Sequence, residues 1–391
     1  MNNVTKTETE KKGLPKEVEG VLFIIGAGAI FGGIANVMSV SHMLNTIMST
    51  AHDLLMNTVF YIMGITVLAG ALGKILIEFG VIRIFEILLR PLMKPLFNLP
   101  GVAALGGLLT FFSDNPAIIS LAYDKNFSRY FKKYQLISLT NFGTAFGMGL
   151  VVISFMAGKG YTKAAFIGLC GAILGAVIST RIMQGKIKGL LIEEDTDLKD
   201  ERKKIVFDES GLPPKLEKSK GSVFTRFLNS MLDGGKQGVD LGLAIIPGVL
   251  IITTAVMMLT FGPKDPTIGY QGLPYEGVAF LPWVGAKLEW LFKPLFGFTH
   301  AELIAFPMTS LGAVGAALGL IGKFQAQGII TGNEIAVFTA IGMCWSGFLS
   351  THTAMLDALG YRELTSKALV SHAIGGFFAG VFAHYLYYFF A

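Results

Sequence analysis

The chain is dominated by stretches of about 20 residues that carry almost no charge, the length that crosses roughly 30 Å of hydrocarbon. They are read at 20–39, 55–80, 101–123, 135–157, 162–184, 239–261, 301–322, 333–357 and 366–390. A soluble chain of 391 residues would need more charge to cover its surface: only 15% is charged here, against roughly 25% in soluble proteins. The mean hydropathy of +0.59 and the 48 glycines, small enough to let membrane helices approach closely, agree with an integral membrane protein of many helices. A polar 18-residue start precedes the first apolar segment, and no cleavable signal peptide is read there.

Other classes find little support. The chain has no HExxH, GxSxG, glycine-rich phosphate loop or Cys/His metal spacing, so no enzyme and no ATP-driven pump is read from it. Its net charge of +5 mainly records topology. The scattered basic residues show no nucleic-acid signature. Cys170 and Cys344 sit in separate apolar segments and read as small buried residues rather than a disulfide or metal pair.

The chain repeats itself. Shifted by 199, KPLF at 94–97 falls on KPLF at 293–296. Without a gap, Thr110 then meets Thr309, Thr140 meets Thr339 and Gly143 meets Gly342. Across 92–156, 12 of 65 positions are identical. The long polar stretch 185–226 separates the copies and reads as a cytoplasmic linker. This divides the chain into an N-terminal segment with the first transmembrane helix (1–54), repeat 1 (55–184), the linker (185–226) and repeat 2 (227–391).

Charge sets the orientation. With 101–123 and 301–322 taken as re-entrant, the outside receives 41–54, 158–163, 262–300 and the loop near Lys323. Those regions hold only Lys159, Lys163, Lys264, Lys287, Lys293 and Lys323, which leaves 26 of the 32 Lys and Arg inside. The N-terminus is then cytoplasmic and the C-terminus outside, in the cell membrane. Full spans at both places would put Arg83, Arg90 and Lys94 outside and make the copies parallel. Re-entrance gives three crossings per copy and inverted repeats. The expected fold is therefore all-α and integral to the membrane, with about seven spanning helices plus two re-entrant hairpins. Breaks in both hairpins support it, because freed backbone groups survive at membrane depth only where protein or a wet cavity covers them.

Paired interrupted segments point to a transporter's site. In the first hairpin, Ser113, Asp114 and Asn115 precede Pro116. Asp114 and Asn115 can cap a half-helix or offer oxygens to a substrate or cation, and an intramembrane Asp is costly without a function. In the second hairpin the polar pair is Thr309 and Ser310, for which bonding to the helix's own backbone is the structural alternative. The helix after each hairpin adds Asn141 and Thr144 in copy 1, and Trp345, Ser346 and His352 in copy 2. Asn141 can donate and accept, or simply bond a neighbouring helix. Trp345 can stack on a ligand or only pack. His352 titrates near neutrality when unperturbed and is a candidate proton carrier. Thr110, Asp114 and Asn141 are the candidate ligands for Na⁺.

The order of helix, interfacial stretch, hairpin, two helices and linker, then the same again, resembles the transport core of concentrative nucleoside transporters. It also resembles the wider group of nucleoside-recognition, or Gate-domain, membrane proteins. KPLF before each hairpin, SDNP at 113–116 and TNFG at 140–143 carry the resemblance over about residues 55–390. What it implies is a mid-membrane site between two hairpins, with Na⁺ or H⁺ as coupling ion and no other cofactor. The implied partners are a small polar solute, a nucleoside among them, and the lipid bilayer; a homo-oligomer is compatible. In nucleoside transporters the tips carry Gln, Glu and Asn, whereas here the second tip offers no acidic residue. The alternative readings are a non-transporting scaffold or complex subunit of the Gate type and an ion or iron route.

Overall fold

The computed structural model describes residues 15–113, 118, 121–122, 125–191 and 221–390. Among them every regular element is a helix, with one isolated bridge between Asp265 and Gly269. Hydrocarbon offers no partner for backbone N–H and C=O groups, so a chain this apolar closes them within helices. Among the described residues seven helices are long and apolar enough to cross a membrane, the number read from the sequence.

The chain opens with α1 (Lys16–Met38) and α2 (Val40–Glu78). An interfacial helix α3 (Val81–Leu92) and a wide turn Met93–Phe97 lead into α4 (Ala103–Phe112). Then come α5 (Lys133–Thr144), α6 (Gly149–Gly158) and α7 (Thr162–Ile187). After the linker, α8 (Val223–Met258) begins the second half. Short helices α9 (Phe280–Lys287) and α10 (Glu289–Phe296) precede the pair α11 (Ala305–Gly312) and α12 (Val314–Ala326). The chain ends with α13 (Gly332–Cys344), α14 (Phe348–Ala358) and α15 (Thr365–Phe390).

Two readings of the sequence change. The stretch 41–54, expected as an outside loop, is the first part of α2, and the boundary set at 54/55 falls inside that helix. Its polar residues misled: Thr46 and Thr50 are buried with Met43, so the polar face turns inward. Likewise α8 begins at Val223, well before the apolar segment at 239. Its charged first half is held by Arg226, whose Nε donates to Glu78 Oε1 at 2.7 Å, and by glycines against α2. A Cβ on Gly234 would lie 2.3 Å from the Gly70 carbonyl oxygen, and one on Gly238 2.3 Å from that of Thr66.

The repeat is written in the backbone. Asn98 and Gly297, 199 residues apart, both follow KPLF and both take left-handed φ, 53° and 71°. Each ends its helix, the position that favours Gly and Asn. Lys132 N–H donates to Gln135 Oε1, as Thr331 N–H does to Glu334 Oε2, again 199 apart. The carbonyls of both KPLF segments are caught by the last long helix of their own copy. Arg181 of α7 donates to Pro95 and Leu96 at 2.6 and 2.8 Å, and the Tyr385 hydroxyl of α15 donates to Pro294 at 2.8 Å.

Corresponding helices run in opposite directions. On α7 and α15, Gly171 meets Ala383, Gly175 meets Gly375, and Ser179 meets His372, an antiparallel register. On α2 and α8, Gly70 meets Gly234 while Met63 meets Gly242, also antiparallel. This is the relation that inverted copies require. Both hairpin segments also double back. Ile118, Leu121 and Phe127 all lie within 4 Å of a Cβ placed on Gly106 of α4. Phe306 of α11 and Phe324 of α12 both pack on the ring of Phe338.

The segment 262–279, between α8 and α9, is folded on itself. Glu276, 1% exposed, accepts backbone N–H bonds from Lys264, Gln271, Gly272 and Leu273. The Tyr275 hydroxyl donates to Asp53 of α2, and its backbone N–H to the Thr50 hydroxyl. The Lys323 ammonium of α12 lies 5.3 Å from the Tyr275 ring and 5.4 Å from that of Phe261. One loop thus joins α2, α8 and the return arm of the second hairpin.

Candidate functional site

Two broken helices meet at the centre. The line α5–α6 unwinds over Ala145–Met148, and α13–α14 unwinds over Trp345–Gly347. The residue that restarts each helix is left-handed: Met148 at φ 56° and Gly347 at φ 66°, 199 residues apart. Gly takes this conformation freely; Met does so at about 1–2 kcal/mol, the kind of strain that concentrates at functional sites. The Ser346 hydroxyl donates to the Gly147 carbonyl at 2.9 Å. Ser346 and Gly147 are themselves equivalent positions, so the copies touch at their break points. The hairpins press on the same place. A Cβ on Gly149 would meet the Phe111 ring of α4 at 2.2 Å, and one on Gly342 would meet Val314 of α12 at 3.1 Å.

Beside the breaks lies a buried polar cluster. Asn141 Nδ2 donates to Ser179 Oγ and to the Ala368 carbonyl, both at 2.9 Å. Ser179 Oγ is 2.8 Å from His372 Nδ1, and His372 Nε2 donates to the Cys344 carbonyl. The His352 and His372 rings are 4.5 Å apart. His352 Nδ1 donates to the Phe348 carbonyl at 2.6 Å, and Trp345 Nε1 donates to the His372 carbonyl at 3.4 Å. Asn141, Ser179, His352 and His372 are all fully buried. A second network, one turn on, holds Gln184 to the Phe97 carbonyl and to Ser138, with Asn98 donating to Gln184.

Of the residues singled out from sequence, Asn141, Trp345, Ser346 and His352 come together here. The hydroxyls of Thr110, Thr144, Thr309 and Ser310 instead donate to the carbonyl four residues back, at 2.7–3.0 Å, as does Ser113. The turn of the second hairpin falls at Ala313, extended at φ −164°, three residues beyond Ser310. Thr309 and Ser310 are buried within α11 and do not form its tip. Asp114 and Asn115 lie outside the described residues. Cys344 is buried and Cys170 exposed on α7, both as free thiols. Ser179, Gln184 and His372 were missed. Their signal was a polar or ionisable residue inside an apolar helix, by default a functional mark, which was applied to the hairpins and not to α7 and α15.

Helices broken at matched points in the two copies are the defining feature of the fold. Solved structures share it. CNTnw, a concentrative nucleoside transporter, superposes in an inward-facing substrate-bound state with a TM-score of 0.51 at 13% identity, over 95% of this chain and 84% of that one. A variant in an intermediate state gives 0.53 at 12%, over 94% and 85%. A variant in an outward-facing state gives 0.52 at 10%, over 95% and 85%. Residues 59–160 match the family model described as Gate, nucleoside recognition, the family whose resemblance the hairpin order carries. An uncharacterised protein of Alkalihalophilus pseudofirmus is 32% identical over 120 residues, covering 29% of this chain and 25% of its own length. The chain thus spans about a quarter of that relative. The protein is a multi-pass membrane protein with the concentrative nucleoside transporter fold.

Proposed function

We propose that this protein is a secondary transporter of a small polar organic solute, bound between the hairpins and the two broken helices, with nucleosides the first class to test. One observation carries the reading: the break points of two opposed copies meet, Ser346 against Gly147. Alternating access rocks one copy against the other around a site where unwound backbone offers carbonyl and N–H groups. A contact between equivalent positions of the two copies is where such motion opens and closes. A scaffold has no use for broken helices packed against each other with a left-handed Met between them. The match described as nucleoside recognition, and the substrate-bound CNTnw fold, favour nucleosides as the solute.

The test is a ligand screen followed by uptake. Purified protein is heated with nucleosides, nucleobases and small carboxylates, and hits are assayed for uptake into proteoliposomes. Nucleosides are expected to raise the melting temperature and to accumulate. No thermal shift and no uptake for any solute would sink the reading. On sequence grounds Asp114 belongs to this site. Asp114→Asn keeps the size, and Asn serves as a cap about equally well, so expression should hold. Losing one charge-assisted partner removes about 2 kcal/mol, roughly thirtyfold in affinity. An Asn variant that transports like the parent removes Asp114 from the site.

A further inference from the structure

Two buried polar atoms in the cluster beside the breaks have no partner among the described residues: His352 Nε2 and Asn141 Oδ1. Hydrogen-bond logic fixes what each can do. A carbonyl only accepts, so His352 Nδ1, bonded to Phe348 O, carries the hydrogen and Nε2 keeps its lone pair. By the same logic His372 Nε2 carries the hydrogen toward Cys344 O, and its Nδ1 accepts from Ser179. In the neutral tautomers that match this pattern, the cluster holds an empty basic nitrogen and an idle acceptor. Buried polar groups are rarely left so.

The pair also grips the break. His372 holds the carbonyl of Cys344, the last residue of α13, and His352 holds that of Phe348, the first residue of α14. Trp345, inside the break, donates back to the His372 carbonyl. Among the described residues, the other titratable side chains of the packed helices are engaged or lie elsewhere. On α5, Tyr134 meets Asn98 and Lys133 lies over the Tyr361 ring. On α7, Arg181 binds the KPLF carbonyls. On α13, Glu334 binds Thr331 at the far end. On α14, Asp357 is exposed beside Arg362. On α15, Lys367 is half-buried at the start of the helix and His384 bonds Asn333 near its end. The hairpin arm α11 has no titratable residue. Only the Cys344 thiol shares the pair's surroundings.

We propose that His352 and His372 form a proton-binding site that clasps the broken helix α13–α14, with His352 Nε2 taking the proton. The proton-binding itself stands on this geometry; its role as the coupling ion rests on the transporter reading. Among the described residues no carboxylate of these helices reaches the pair, so the charged pair is better solvated in a conformation that admits water. Proton uptake and opening of the break then favour each other, since a ligand shifts an equilibrium toward the state that binds it better.

Trp345 is a native reporter, because its indole N–H bonds the His372 carbonyl and indole emission responds to a charge placed nearby. In full-length protein with the exposed Trp283 and Trp290 changed to Phe, the emission of Trp345 is titrated from pH 4.5 to 9. A single quenching step is expected. His352→Asn retains a donor for the Phe348 carbonyl and cannot charge; the step should vanish. His372→Gln retains a donor for the Cys344 carbonyl; the step should move or vanish. His352→Gln stands in if the Asn variant fails to fold by size-exclusion. A flat titration, a step unchanged in either variant, or a response to Na⁺ at fixed pH in place of protons overturns the proposal. In proteoliposomes, uptake should rise under an acid-outside gradient, and the His352→Asn variant should lose that rise. If no solute is transported at all, the transporter reading falls while the fluorescence titration still decides the site.

Discussion

The contact most dependent on a single hydroxyl is that of Tyr275, whose phenol reaches Asp53 across 222 residues of chain. Burial, and then the bond to the Asp53 carboxylate, hold its ionisation above the usual tyrosine range. Because the folded value is raised, the stability it contributes is complete below the unfolded value of about 10. It is lost as the pH climbs past that point. Tyr275→Phe leaves Asp53 with Asn57 as its remaining donor and should weaken the loop clasp by about 1–3 kcal/mol. Melting curves of parent and variant check this. The difference between them should be constant from pH 6 to 9 and shrink above 10. A difference that grows above pH 10 would contradict the bond's direction. Asn141 makes the complementary point in the membrane interior. Its type was legible as a candidate, but its partners, a serine on α7 and a carbonyl on α15, lie 38 and 227 residues away.

At the scale of elements, close helix pairs rest on glycine, and not all glycines are equal. A methyl on Gly375 would stand 2.6 Å from the Gly175 carbonyl oxygen and 2.6 Å from Ser179 Cβ. Backbone cannot yield as a flexible side chain does, so α7 and α15 must separate. Gly375→Ala is expected to destabilise by about 1–3 kcal/mol, the usual range for overpacking. It should also disturb the His372–Ser179 bond one turn away. Gly32→Ala on α1 adds a methyl that meets nothing within 4 Å, and its effect should stay within about 1 kcal/mol. Thermal unfolding of both proteins in detergent is the comparison. Equal losses would mean that the α7–α15 contact is not a close one. The KPLF repeat is explained at this scale too, because the chain turn that follows each copy needs a left-handed residue, and Asn98 and Gly297 supply it.

At the scale of the molecule, the antiparallel relation of equivalent helices sets where the ends of each segment lie. The charge asymmetry leads to the expectation that Lys188, just past α7, faces the cytoplasm and Thr267 the outside. In a background lacking Cys170 and Cys344, a cysteine at Thr267 should react with an impermeant maleimide in intact cells. One at Lys188 should react only after permeabilisation. The reverse pattern would invert the protein in its membrane without altering its fold. The three solved CNTnw states all superpose on this chain at similar TM-scores, 0.51 to 0.53, so the shared feature is the architecture and not one conformational state.

The residues alone were enough to read a helical protein that crosses a membrane about seven times and is built from two copies. Those facts follow from local quantities: the length of apolar runs, the placement of charge, and a motif repeated at 199. The sequence also marked Asn141, Trp345, Ser346 and His352, because polar side chains stand out in apolar helices. It took the packed helices to show that Ser179 and His372 complete their cluster, that the hydroxyls of Thr309 and Ser310 bond their own helix, and that the stretch 41–54 is helical with its polar face inward. The reason is physical. A helix's hydrogen bonds are closed within four residues of sequence, whereas which polar face meets which is set by the packing of helices far apart in the chain.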